Sequence, residues 1–170
     1  MNDLYQIFHI IIRGNNKKNI FDNDSDKKKY LFYLKRAKDR IDFDLFSYVV
    51  MDNHIHMLIR TTDEKLSKLM QRINTSYSKF YNEKYKRTGH TFEKRYKKIL
   101  CKDEANFLQL IKYIHRNPQK IATSIDTYKY SSHIEYISDN QTITDIDFLL
   151  DILSRNRQCA IVEYLKLMEN

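Results

Sequence analysis

Apolar positions along the chain fall into short runs with two different periods. Residues 5 to 13, YQIFHIIIR, are β-rich and nearly apolar throughout, which predicts a strand covered on both faces. Gly14-Asn15-Asn16 breaks it. Tyr30, Leu31, Leu34, Ala37 and Ile41 then recur at helical spacing over about 25 to 40, with Asp24 or Ser25 as the candidate cap. Residues 43 to 51 read as a strand, Asp52-Asn53 as a turn, and residues 54 to 60, HIHMLIR, as the returning strand of a hairpin. Thr61-x-x-Glu64 has the form of a capping box. It opens a long stripe, Leu66, Leu69, Met70, Ile73, Tyr77, Phe80, Tyr81 and Tyr85, that predicts a helix ending at Thr88-Gly89. Residues 92 to 101 are a fourth strand candidate. Asp103 can cap a helix carrying Phe107, Leu108, Leu110, Ile111 and Ile114, which must stop near Asn117 because Pro118 follows. Residues 145 to 153 and 158 to 168 read as two tail helices.

The order β-α-β-β-α-β followed by a helix predicts an α+β, ferredoxin-like antiparallel sheet. Two helices cover one face, the first and third strands are central neighbours, and the additional tyrosine-bearing helix lies on the opposite face. A helical C-terminal tail completes the chain.

Composition narrows the class. The chain has 170 residues, 42% of them hydrophobic, with only two Gly and one Pro, which suits one domain with a small appendage and no long flexible linker. Cys101 and Cys159 match no ligand spacing and read as reduced thiols. The start of the chain shows no leader pattern, and the longest apolar run, around Ile10 to Ile12, is far too short to span a bilayer. The expectation is a soluble cytoplasmic protein of bacterial type with no membrane partner. The net charge is +8, and residues 79 to 102 hold nine Lys/Arg against two Glu, whereas residues 139 to 170 hold three Lys/Arg against six Asp/Glu. The basic segment suggests a polyanion partner or a solvated basic surface; the acidic tail reads as a separate element.

Two weak motifs carry candidate chemistry. In His54-Ile55-His56 the alternation of a strand sends both imidazoles out of one face, about 6 to 7 Å apart along the chain, where they can converge on one cation. Standing alone, such a pair is more often hydrogen-bonded or surface histidines than a metal site. Tyr113 and Asn117, in YIHRNP, lie four apart on one helical face. An asparagine oxygen can ligate a metal, but the following proline can also pull Asn117 out of the helix and spoil the register. Aromatic and basic residues interleave over 77 to 98, as in grooves that bind single strands. Tyr77, Phe80 and Tyr81 sit at core spacing, so only the cations there are assigned to nucleic acid.

Four segments in order, IIIRGNN (10 to 16), YVVMDNHIHMLI (48 to 59), RTGHTFEKRYKKIL (87 to 100) and YIHRNPQKIA (113 to 122), followed by YKYSSH (128 to 133), resemble the REP-associated tyrosine transposases. They also resemble the wider single-tyrosine HUH, IS200-like transposase family. Asp52 stands where that family commonly has proline, and Tyr130 where it commonly has tryptophan. The likeness covers about residues 5 to 138 and implies a transposase domain over 1 to 138 with a helical extension over 139 to 170. It implies metal-dependent cleavage and rejoining of single-stranded DNA through a 5′-phosphotyrosine. Tyr113 would be the nucleophile, and His54, His56 and Asn117 the ligands of a divalent metal, Mg²⁺ or Mn²⁺. Arg13, Asn15, Arg87, Lys94, Arg95 and Arg116 are candidate contacts to single-stranded or hairpin DNA. His9, on the first strand, reads first as a satisfied core histidine, and otherwise as a support for the metal pair or a DNA contact. No nucleotide cofactor is expected, because no Gly-rich phosphate loop is present and the covalent intermediate conserves the bond energy. A monomer and a homodimer both fit. The rival readings are an inactive or domesticated nucleic-acid binder of the same fold, and a zinc hydrolase. The hydrolase lacks a third His or Cys at ligand spacing and an obvious carboxylate base.

Overall fold

A computed structural model describes residues 4–93 and 95–169. The elements run β1 (Gln6–Arg13), α1 (Asp24–Lys38), β2 (Asp44–Val50), β3 (His54–Thr61), α2 (Asp63–Lys84), β4 (Lys97–Leu100), α3 (Glu104–Arg116), α4 (His133–Ile137), α5 (Asp147–Leu153) and α6 (Arg157–Glu169). The four strands form one antiparallel sheet in the order β2-β3-β1-β4, so β1 and β3 are the central pair as expected. They pair over their full length, from Gln6 opposite Thr61 to Arg13 opposite His54.

The near-continuous apolar character of β1 is explained by a core on each side of the sheet. Phe8, Ile10 and Ile12, with Ile55, Met57 and Ile59 of β3, pack beneath α1 and α2. On the other face Phe46, Val49 and Leu58 meet Phe107, Ile111 and Ile114 of α3, and α4 to α6 enlarge this second core. The tyrosine-bearing helix therefore lies opposite the α1–α2 layer. The acidic tail, read from sequence as a separate element, packs directly on α3 through Tyr164 and Met168.

Local chemistry moves several boundaries. Asn23 caps α1, its side chain accepting from the N–H groups of Ser25 and Asp26, so the cap falls one residue before the sequence candidates. Thr62 rather than Thr61 caps α2, accepting from the Lys65 N–H, because Thr61 is still held in the ladder opposite Gln6. α2 ends at Lys84, four residues short of Thr88-Gly89; Lys86 and Gly89 both take positive φ in the following loop. β4 is shorter than the 92 to 101 run because Phe92 bridges to Gly14 at the end of β1 before the ladder begins. Gly14 tolerates no side chain, since a Cβ there would lie 2.2 Å from the Lys18 carbonyl oxygen. Asp103 caps α3 as expected. Asn117 keeps helical angles, φ −53° and ψ −39°, so the proline behind it does not displace it; Pro118 instead lies in the first turn of a 3-10 helix, Asn117–Lys120.

Glu135 ties the tail to the sheet. One carboxylate oxygen accepts the N–H groups of Thr142, Ile143 and Thr144; the other accepts the hydroxyls of Tyr48 and Thr144. Among the described residues no helix is long and apolar enough to cross a membrane.

Candidate functional site

The hairpin turn between β2 and β3 is clamped before the histidines begin. The Asp52 carbonyl accepts from Ile20 and Phe21, and the Asn53 carbonyl from Gly14. The Asp52 carboxylate lies 2.6 Å from the ammonium of Lys27, a largely buried side chain. Burial alone would lower the Lys27 pKa, but its bonds to Asp52 and Tyr128 overcome this and leave it raised. This turn aspartate thus supplies the partner of a largely buried cation.

β3 then sends His54 and His56 out on the α3 side, ring centroids 5.0 Å apart and nearly perpendicular. Each imidazole is held at Nδ1 by a different neighbour. His54 Nδ1 lies 2.6 Å from Asn53 Oδ1, and His56 Nδ1 lies 2.9 Å from Nε2 of His9 on the adjacent strand. His9 is thus neither a plain core residue nor a surface one. It is buried against His56, its ring stacked at 5.1 Å, with an edge toward Tyr113.

From above, α3 lowers Tyr113 and Asn117 onto the pair. The Tyr113 ring meets the His56 ring edge-on with centroids 5.3 Å apart, and Asn117 Oδ1 lies 3.3 Å from His54 Nε2. Tyr113 remains 52% exposed, whereas His56 is 2% exposed. These four residues line one cleft of about 510 Å³ with Arg13, Lys17, Lys120 and Asp52, three cations against one carboxylate.

All three imidazoles are held neutral at pH 7. Burial, followed by the fields of His54, His9 and Arg13, depresses His56 to about 3. Burial and Lys97 depress His9 to about 4. His54 is lowered by burial first, against the raising effect of Asn117. A neutral ring carries one N–H, yet His54 has amide oxygens at both nitrogens. The shorter contact to Asn53 takes the proton, which leaves a bare His54 Nε2 beside Asn117 Oδ1. Two imidazole nitrogens and one amide oxygen with no proton between them is a donor set that fits a divalent cation, with room for oxygen ligands from a phosphate or water. Among the described residues no group of three or more His, Cys, Asp or Glu could hold a metal, which disfavours a closed zinc site.

The other candidates scatter. Arg13 lines the cleft. Arg95 and Lys97 join it around an adjoining depression of about 260 Å³. Asn15 turns its backbone to Thr91, Arg87 lies over the Tyr81 ring, and Arg116 pairs with Gln119; none of the three lines the cleft. Lys94 lies outside the described residues. Two cations of the basic segment are committed elsewhere: Lys84 pairs with the fully buried Asp26 and Lys98 with Asp63. The cleft cations that sequence reading missed, Lys17 and Lys120, fall outside any charge run, and only their closeness to the two motifs could have marked them.

The model of the IS200-like transposase family matches residues 4–117. No curated protein is significantly similar in sequence. Among solved structures, a REP-associated tyrosine transposase bound to a REP hairpin superposes with a TM-score of 0.64 at 13% identity, covering 86% of this chain and 92% of that one, which shows a shared fold.

Proposed function

The chain belongs to the IS200-like transposase family, and from that premise we propose that it cleaves and rejoins single-stranded DNA by metal-dependent transesterification, with Tyr113 as nucleophile. His54, His56 and Asn117 would hold a divalent cation, Mg²⁺ or Mn²⁺. When bound, such a cation neutralises and polarises the scissile phosphate. The phenolic oxygen of Tyr113 forms a bond to phosphorus, the bond from phosphorus to the 3′ oxygen breaks, and the phenol proton is released to solvent. The departing 3′ oxygen takes up a proton. The protein is left on the 5′-phosphate as a phosphotyrosine, and a different 3′-hydroxyl reverses the exchange without a nucleotide cofactor. Arg13, Lys17 and Lys120 bind phosphates flanking the scissile one. The hairpin held by the structural neighbour makes hairpin DNA the first substrate to test.

The observation that carries this reading is the meeting of Tyr113 with His56, at 5.3 Å between ring centroids, inside one chain. With Asn117 over His54, a single protomer holds the whole set. The test is adduct formation on oligonucleotides carrying a hairpin and a cleavage site. With Mg²⁺ or Mn²⁺ an SDS-resistant protein–DNA band is expected; Tyr113→Phe abolishes it while leaving hairpin affinity within about twofold. An adduct that survives in Tyr113→Phe removes Tyr113 as the nucleophile. Hairpin binding with no adduct in the intact protein leaves only the binding module.

A further inference from the structure

The family match ends at Asn117, but the helix that carries Tyr113 is held from behind by residues beyond it. In the last turn of α3, Tyr113 and Asn117 face the cleft, and His115 points the opposite way and is fully buried. Its Nδ1 lies 2.8 Å from the Tyr164 hydroxyl of α6, and its Nε2 lies 2.7 Å from Ser132 Oγ. The Tyr164 hydroxyl also lies 2.5 Å from His133 Nδ1, and His133 Nε2 lies 2.8 Å from an Asp126 carboxylate oxygen.

With His133 neutral, as its burial favours, this chain of bonds has one proton order. The Asp126 carboxylate only accepts, so His133 donates from Nε2 and presents a bare Nδ1. Tyr164 must then donate to His133 and accept from His115 Nδ1–H. His115 in turn presents a bare Nε2 that accepts from the Ser132 hydroxyl at 2.7 Å, closer than that hydroxyl's other acceptor, the Tyr48 carbonyl at 3.3 Å, and Ser132 Oγ accepts the Tyr48 N–H of β2. Every member but Asp126 is buried. A rotation of α3 that swung Tyr113 off His56 would strip both nitrogens of His115 of partners at once. The ring stack of Tyr164 on Tyr136, at 4.8 Å, fixes the height of that hydroxyl.

We propose that Tyr164 is a positioning residue for the reaction: through His115 it sets the roll of α3, and so the placement of Tyr113 and Asn117 over the two histidines. The C-terminal extension is then a working part of the catalytic unit rather than an appendage. The proposal rests on the transesterase reading for its kinetic consequence but not for its structural one.

The experiment compares the full-length protein with Tyr164→Phe, which keeps the ring and deletes the hydroxyl. Arg157→Gln serves as control, since it loosens the tail at the exposed pairs with Asp139 and Asp147 without touching the chain of bonds. Nuclear Overhauser contacts between the Tyr113 and His56 rings report placement directly; the adduct rate at saturating hairpin DNA and the hairpin Kd report function. Tyr164→Phe is expected to weaken the ring contacts at least threefold and to lower the saturating rate at least tenfold, with Kd within twofold. Arg157→Gln keeps both. Asp126→Ala, at the exposed end of the chain, moves both in the same direction by less, and serves if Tyr164→Phe does not fold. Full ring contacts with an unchanged rate in Tyr164→Phe overturn the proposal, as does a loss no larger than in Arg157→Gln at equal folded fraction. An intact protein without the ring contacts overturns both readings. One with the contacts but no adduct overturns the transesterase alone and leaves the proposal to be judged on the contacts.

Discussion

His9→Ala isolates what the third imidazole does. In the intact protein His9 Nε2 faces His56 Nδ1 at 2.9 Å in a buried setting. A His56 ring that offers Nε2 to a cation must carry its proton on Nδ1, and His9 is the acceptor for it. Deleting that acceptor leaves a buried N–H unpaired, a cost of about 1–3 kcal/mol. The alternative, moving the proton to Nε2, removes the ligand. Either route is charged against metal binding, and Mn²⁺ affinity should fall about 10- to 100-fold. The same substitution changes acid stability in a second, independent way. His9 titrates at about 4 in the folded chain and near 6.5 when unfolded, so its neutral form favours the fold above pH 6.5. That contribution is lost as pH falls from 6.5 towards 4, about 1.4 kcal/mol for each pH unit and about 3 kcal/mol in all. His9→Ala removes one such group, so its urea stability should decline less steeply between pH 6.5 and 4.5 than that of the intact chain. The assays are Mn²⁺ titration followed by electron paramagnetic resonance at pH 7.5, and urea unfolding without metal at pH 7, 6 and 5. Mn²⁺ affinity within twofold and identical pH slopes would refute the reasoning.

Glu135→Gln should destabilise the protein by about 2–4 kcal/mol, because three backbone N–H groups lose a charged acceptor. Calorimetry would register this as a midpoint lower by roughly 5 to 15 °C, and a shift under 1 °C would count against the anchoring role. Arg13→Ala and Lys120→Ala should each weaken binding to all single-stranded sequences alike. Each should reduce the slope of log affinity against log salt by about one; an unaltered slope would place DNA outside this cleft.

The elements were legible because their periods are unambiguous. A two-sided apolar strand such as β1 and a stripe as long as that of α2 leave little choice, and the strand count and order then select the sheet. What escaped were contacts between residues distant in sequence. Nothing in YQIFHIIIR reveals that His9 will stand beside His56, because that follows from the strand register. Glu135 looks like an ordinary exposed carboxylate on a short helix, and only the path of residues 142 to 144 makes it an acceptor for three amides. The pairings within the basic segment were hidden for a related reason: Lys84 and Lys98 pair with carboxylates on α1 and α2, which charge counting cannot match. His54, His56, Tyr113 and Asn117 were found as two motifs, and the fold supplied their meeting.

The floor and the roof of the cleft differ in exposure and in how they are held. Its floor is the inner pair of a four-stranded sheet, laddered on both sides, so amide exchange at His56 should require opening of the whole sheet. Its roof is the final turn of a thirteen-residue helix, half open to solvent at Tyr113 and followed by a short 3-10 turn. Because His115 pins that turn from behind, a DNA end joined to Tyr113 in the proposed reaction would move by rotation of the exposed tyrosine side chain, while the floor stays set to receive an incoming strand.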